Sequence, residues 1–116
     1  MRSSKKGLLK KRLDKLVQQK YVPLNPVCLV CGQPTAEMHH FVQKKQSLML
    51  RWDKENLIPL CKGCHLAHHQ KGDYRINEAI IEKKGREWLE YIEYERQIIF
   101  KDNLTNLREI ELTLND

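Results

Sequence analysis

Cys28-Leu-Val-Cys31 and Cys61-Lys-Gly-Cys64 form two matched pairs that use all four cysteines of the chain. Two Cys-x-x-Cys knuckles about thirty residues apart have the spacing of a tetrahedral four-thiolate zinc site. Histidines are threaded through and past them. His39 and His40 lie between the pairs with Asn56, and His65, His68 and His69 follow the second pair directly. A four-thiolate site needs no further ligand, so these imidazoles are surplus to it and point to a second metal and to chemistry. An imidazole with a pKa near about 6.5 takes a proton from water at neutral pH. A divalent ion neutralises a phosphodiester oxygen and a developing alkoxide together, so one metal and one histidine suffice for hydrolysis.

The elements that must position these groups are short. Residues 36–42 read as a strand whose alternation puts Met38, His40 and Val42 on one face and Glu37, His39 and Phe41 on the other. Neighbouring histidines therefore point opposite ways. Lys44 to Asn56 reads as a polar, basic loop, and Leu57-Ile-Pro-Leu60 as a second strand running into the second knuckle. A short helix is expected from Cys64 to about Lys71, stopped by Gly72. It places His65 and His69 on one face, with His68 as the rival at three residues' distance. Before the knuckles, Leu9, Leu13, Leu16 and Val17 recur at helical spacing until Pro23 and Pro26 end the helix. After them, Asp73 is expected to cap a helix through Lys84 with Gly85 at its end. A longer helix is expected from Arg86 to Lys101, with Trp88, Tyr91, Ile92, Glu95 and Ile99 on one stripe, and Thr105 to cap a last one carrying Leu107, Ile110 and Leu114.

These elements divide the 116 residues into a basic N-terminal helix (1–24), a cysteine-stapled core (25–72) and a C-terminal helical region (73–116). A chain this short buries only about two-thirds of its unfolded surface, so a metal staple adds what the core lacks. The net charge of +6 is uneven, because residues 1–20 carry eight Lys/Arg and a single acid, Asp14. A basic front suits a polyanion bound on one side. Lys10, Lys11 and Arg12 in the helix and Lys44, Lys45 and Arg51 in the loop are the candidate phosphate contacts, with Arg51 also placed to stabilise transition-state charge. No apolar run approaches the roughly 20 residues of a membrane span, and no secretory signal is visible. A cytoplasmic, reducing setting with thiolates rather than disulfides is expected. A zinc deaminase would need His-x-Glu before Pro-Cys-x-x-Cys, and a thiol oxidoreductase one reactive pair; neither pattern occurs. A non-catalytic zinc-ribbon binder of nucleic acid is the alternative, and it has no use for His40.

The order of strand with His-His, loop with Asn, strand, then helix with His-x-x-x-His resembles the HNH endonuclease family, whose core is a ββα-metal motif. The resemblance rests on Glu37-Met-His-His-Phe41, Glu55-Asn-Leu-Ile-Pro-Leu-Cys61 and Cys64-His-Leu-Ala-His-His69. It implies an α+β fold, a small zinc-stapled ββα-metal core flanked by the basic N-terminal helix and the C-terminal helices. It also implies DNA as substrate, Zn²⁺ on Cys28, Cys31, Cys61 and Cys64, and a catalytic Mg²⁺ or Mn²⁺ on His39, His65 and His69, with His68 still the rival of His69. His40 is then the general base, and Asn56 braces the loop that carries it. His40-Phe-Val-Gln-Lys-Lys45, Leu50-Arg-Trp-Asp53, Gly72-Asp-Tyr74 and Gly85-Arg-Glu-Trp-Leu89 are similar to the NinG/Rap recombination proteins of lambdoid phages. Those proteins act on branched DNA intermediates, and the chain differs from them at His39 and His65. That resemblance implies a bacterial or phage-infected cell, and a homodimer, which suits symmetric cutting of two strands.

Overall fold

The computed structural model describes residues 4–70 and 74–115, with residues 67–70 described by their backbone only. Helix α1 spans Lys5–Tyr21, its first turn closed by the Ser4 hydroxyl, which accepts from the Gly7 N–H at 3.0 Å. Pro23 turns its end into a single 3₁₀ turn, Val22–Leu24. The first knuckle folds back through Cys28 N–H to the Gln33 carbonyl at 2.7 Å, with Gly32 at φ 78, a conformation glycine adopts without a Cβ penalty.

Strands β1 (Met38–His40) and β2 (Leu57–Pro59) pair antiparallel, with Met38 opposite Pro59, His39 opposite Ile58 and His40 opposite Leu57. Helix α3 (Lys62–Gln70) starts inside the second knuckle and completes a ββα unit. The first knuckle is tied to this unit by Leu29 N–H to the Pro59 carbonyl at 2.8 Å and by the Thr35 hydroxyl to the Leu60 carbonyl at 2.9 Å.

Two apolar cores lie against the small sheet. One gathers Cys28, Val42, Leu50, Ile58 and Leu60 with Ile76 and Ile80 of α4 (Tyr74–Lys84) and Trp88 and Ile92 of α5 (Arg86–Gln97). The other gathers Leu9, Leu13 and Val17 of α1, Met38, Trp52 and Leu57, and Leu107 and Leu114 of α6 (Leu104–Asn115). Leu57 and Ile58 face different cores because successive strand residues point to opposite sides. The first and last helices thus pack on each other. The fold is α+β, helical around one two-stranded sheet.

Several elements differ from the sequence expectation. The stretch from Lys44 to Asn56 contains helix α2 (Leu48–Arg51) and a 3₁₀ turn, Lys54–Asn56, and it buries Leu50 and Trp52. Ser47 begins α2 by accepting from the Leu50 N–H, and the apolar residues it carries pull the segment inward. Helix α3 begins at Lys62 rather than Cys64. Helix α5 stops at Gln97, because paired β-branched Ile98 and Ile99 favour extended backbone and the chain must turn back towards α1. Ile99 consequently leaves the apolar stripe and is 91% exposed. Helix α6 starts at Leu104, and Asn103, not Thr105, caps it by accepting from the Asn106 N–H at 2.9 Å. The expected cap Asp73 and stop Gly72 lie outside the described residues. Among the described residues, no helix is long and apolar enough to cross a membrane.

Candidate functional site

The two knuckles bring the four cysteines together. One sulfur from each of Cys28, Cys31, Cys61 and Cys64 lies within 4.8 Å of the others, Cys31 and Cys61 are 3.5 Å apart, and none forms a disulfide. A tetrahedron with metal–sulfur bonds of about 2.3 Å has edges of about 3.8 Å, so the donor set fits a tetrahedral metal ion. Burial pushes the Cys28 thiol up, but backbone hydrogen bonds from Cys31, Cys61 and Val30 outweigh it and bring its pKa to about 6. Burial and the crowding of Cys61, Cys31 and Cys28 push Cys64 well above the ordinary thiol value. Crowding of this kind is relieved by protonation or by a cation, and a metal ion on all four sulfurs would hold them as thiolates.

Strand β1 sends its two histidines apart. His39 is 3% exposed and meets the His65 ring edge-on, with centroids 5.2 Å apart and planes at 69°. Two imidazoles sharing an ion from about 2.1 Å each would have centroids roughly 4.5–5.2 Å apart, so this pair also fits metal ligation. His65 is placed by the second knuckle, since its N–H donates to the Cys61 carbonyl at 2.9 Å. The side chains of His68 and His69 lie outside the described residues. Among the described residues, the four cysteines are the one group of three or more donors close enough to share an ion.

His40 turns to the other side, where its Nε2 is 2.9 Å from the Arg51 carbonyl oxygen. A carbonyl only accepts, so Nε2 carries the hydrogen and Nδ1 keeps the lone pair. Burial depresses the pKa of this ring, the Arg51 carbonyl offsets part of the effect, and the net shift is below the ordinary histidine value. His39, His40 and His65 line an open cleft of about 520 Å³ together with Met38, Gln43, Lys44, Lys45 and Arg51.

Asn56 is completely buried and fully used. Its Oδ1 accepts from the Val42 N–H at 2.8 Å, and its Nδ2 donates to the carbonyls of Val42 at 3.0 Å and Leu50 at 3.1 Å. It thereby staples the end of β1 to α2, the helix whose Arg51 carbonyl holds His40. Helix α5 fixes the same segment from outside. The Trp88 indole donates to the Glu55 carbonyl at 2.7 Å, and the Tyr91 hydroxyl donates to Asp53. Asn56→Ala would take the partner from the buried Val42 N–H and C=O, while the Leu50 carbonyl keeps the Trp52 and Asp53 N–H groups. It is expected to cost about 2–4 kcal/mol, measured as a lowered midpoint in urea unfolding. An unchanged midpoint would mean that water replaces the amide.

The basic candidates separate in space. Lys44, Lys45 and Arg51 line the cleft. Arg51 is not presented to solvent as an open cation. Its Nε and Nη2 donate to both oxygens of Asp14 at 3.0 and 2.8 Å, and its side chain is only 20% exposed. In the N-terminal helix, Lys10 pairs with Asp102 at 2.7 Å and Arg12 with Glu111 at 3.2 Å, both from the acidic rear of the chain. Lys11 is exposed and lies one turn before Asp14, on the same side of α1. Asp14, Asp53, Trp88 and Tyr91 are supporting residues that sequence reasoning missed. For Asp14 the signal was its being the one acid among eight bases in the first twenty residues.

Residues 28–71 match the family model described as HNH endonuclease. That span contains both cysteine pairs, His39, His40, Asn56, His65 and the α3 helix, while α1, α4, α5 and α6 lie outside it. No curated protein and no solved structure matches the chain.

Proposed function

We propose that the protein is a divalent-metal-dependent DNA endonuclease of the HNH kind. The observation that carries the reading is the division of labour in β1. His39 meets His65 in one place, while His40 is oriented by a backbone carbonyl with its Nδ1 lone pair remaining. His39 and His65, with His69 from the next turn of α3, would hold Mg²⁺ or Mn²⁺, and the cysteines Zn²⁺. When bound, the divalent ion supplies charge neutralisation for the phosphate and the leaving oxygen. His40 takes the proton from the attacking water at Nδ1, and its depressed pKa keeps the ring neutral and able to accept at neutral pH. Asn56 keeps the loop fixed while this happens.

Branched recombination intermediates are the substrate that the similarity to the NinG/Rap proteins favours, with a homodimer cutting paired strands in the cytoplasm. The test is cleavage of plasmid, linear, forked and four-way-junction DNA with Mg²⁺ or Mn²⁺, with and without EDTA. Metal-dependent nicking is expected, fastest on the junction. Absence of cleavage of every form would leave a zinc-ribbon binding module.

Lys11, Lys44 and Lys45 carry the phosphate contacts in this reading. Replacing all three with Gln is expected to reduce the log–log salt slope of DNA binding by roughly 0.9 for each phosphate no longer neutralised. Lys10→Gln should change it little, because Lys10 already serves Asp102. Equal slopes in fluorescence-anisotropy titrations of the triple variant and the parent would place the DNA elsewhere.

A further inference from the structure

Asp14 lies in α1, outside the ββα unit, yet its carboxylate reaches the loop that orients His40. It accepts from Arg51 Nε at 3.0 Å, from Arg51 Nη2 at 2.8 Å and from the Trp52 indole N–H at 2.9 Å, with Lys44 Nζ at 3.8 Å. The guanidinium also lies over the Trp52 ring, 5.2 Å from its centroid. The carbonyl that accepts from His40 belongs to the peptide between residues 51 and 52. Asp14 therefore grips the side chain at each end of that one peptide. Trp52 is buried in the core shared by α1 and α6, so the grip has a rigid backing.

We infer that Asp14 is a positioning residue for His40, acting through Arg51 and Trp52 to fix the peptide carbonyl that orients the imidazole. The consequence is a specific role for the N-terminal helix. It is a brace for the catalytic loop as well as a basic surface, and Arg51 serves first as its anchor. The inference deepens the nuclease reading and rests on it for its effect on rate.

Asp14→Ala removes the grip, and Asp14→Asn keeps the shape and one acceptor while removing the charge. Asp102→Asn removes an equal charge elsewhere, since Asp102 is outside the cleft and pairs with Lys10. With the metal-loaded enzyme, Asp14→Ala is expected to lower kcat about 10–100-fold, the usual cost of losing a partner that orients a working side chain. KM for DNA should stay level or fall, because the lost charge was negative. Asp14→Asn should be intermediate, and Asp102→Asn should keep the parent kcat. A purely structural role would instead lower the melting temperature and the active fraction without this kcat-only signature.

A second reading is independent of cleavage. Long-range ¹H–¹⁵N spectra of the histidine rings, on the full zinc-loaded chain at about pH 8 where imidazole is neutral, should show His40 as a single Nε2–H tautomer. Asp14→Asn, the variant closest in shape, should shift it to a mixture. Parent-like kcat in Asp14→Ala, a rise in KM with kcat unchanged, or a His40 tautomer unaltered in Asp14→Asn would each overturn the inference. If the parent protein cleaves no DNA, the nuclease reading fails alone, and the tautomer still decides whether Asp14 orients His40.

Discussion

Cys61→Ser is expected to unfold the ββα unit. Cys28 is buried among Val42, Ile58 and Leu60, so the cysteine cluster forms one wall of the core rather than a surface clip. The same cluster starts α3, which carries His65, and anchors the first knuckle to β2 through Leu29. A two-stranded sheet of three-residue strands has little stability of its own. Structural zinc contributes about 10–16 kcal/mol of apparent folding free energy in small domains, comparable with or above the whole stability of about 5–15 kcal/mol of an ordinary domain. Losing one of four thiolates therefore removes a large share of what holds a unit with so small a sheet. Circular dichroism with zinc quantified by atomic absorption checks this, and an excess of strong chelator should reproduce the effect in the parent. A zinc-free preparation that stays folded and monodisperse would show the cysteines to be ordinary buried thiols.

The cysteine spacing made the centre of the fold legible, because a metal site fixes residue type and separation together. The β1 alternation gave His39 and His40 different partners, the His65 ring and the Arg51 carbonyl, although both rings line the same cleft. The bracing by Asn56 came from resemblance, and its three backbone partners explain why an amide is used there: it has both an acceptor and two donors. Long-range choices were not legible. Nothing local in Arg51 tells that its partner is Asp14, 37 residues away. Nothing local in Lys10 or Arg12 tells that α6 returns to meet them. Element ends failed where tertiary packing overrode periodicity. Ile99 fits the α5 stripe by spacing, yet the chain has left the helix before reaching it. The loop from Lys44 to Asn56 was read from its charges, whereas its fold is set by what it buries, the apolar Leu50 and Trp52 with the polar Ser47 and Asn56.

His40→Ala is expected to lower the cleavage rate about 10²–10⁴-fold, the usual contribution of a positioned general base. That range corresponds to roughly 2.7–5.4 kcal/mol of activation free energy. The fold should survive, because His40 is only partly buried and its ring hydrogen bond among the described residues, to the Arg51 carbonyl, is worth about 1 kcal/mol. Zinc content and DNA affinity should also stay near the parent values. His40→Gln sharpens the test. An amide N–H can still donate to the Arg51 carbonyl, but the side chain has no basic nitrogen to take a proton. Equal losses in His40→Ala and His40→Gln would assign the effect to the base, whereas recovery in His40→Gln would assign it to support of the loop. His65→Ala should behave differently, with activity partly restored by raising Mg²⁺ or Mn²⁺, since a lost ligand weakens binding of the ion and excess metal compensates. No metal concentration should restore His40→Ala. Parent-rate cleavage by His40→Ala, in a preparation free of contaminating nuclease, would remove His40 from the chemistry and leave its hydrogen bond to Arg51 as a purely structural one.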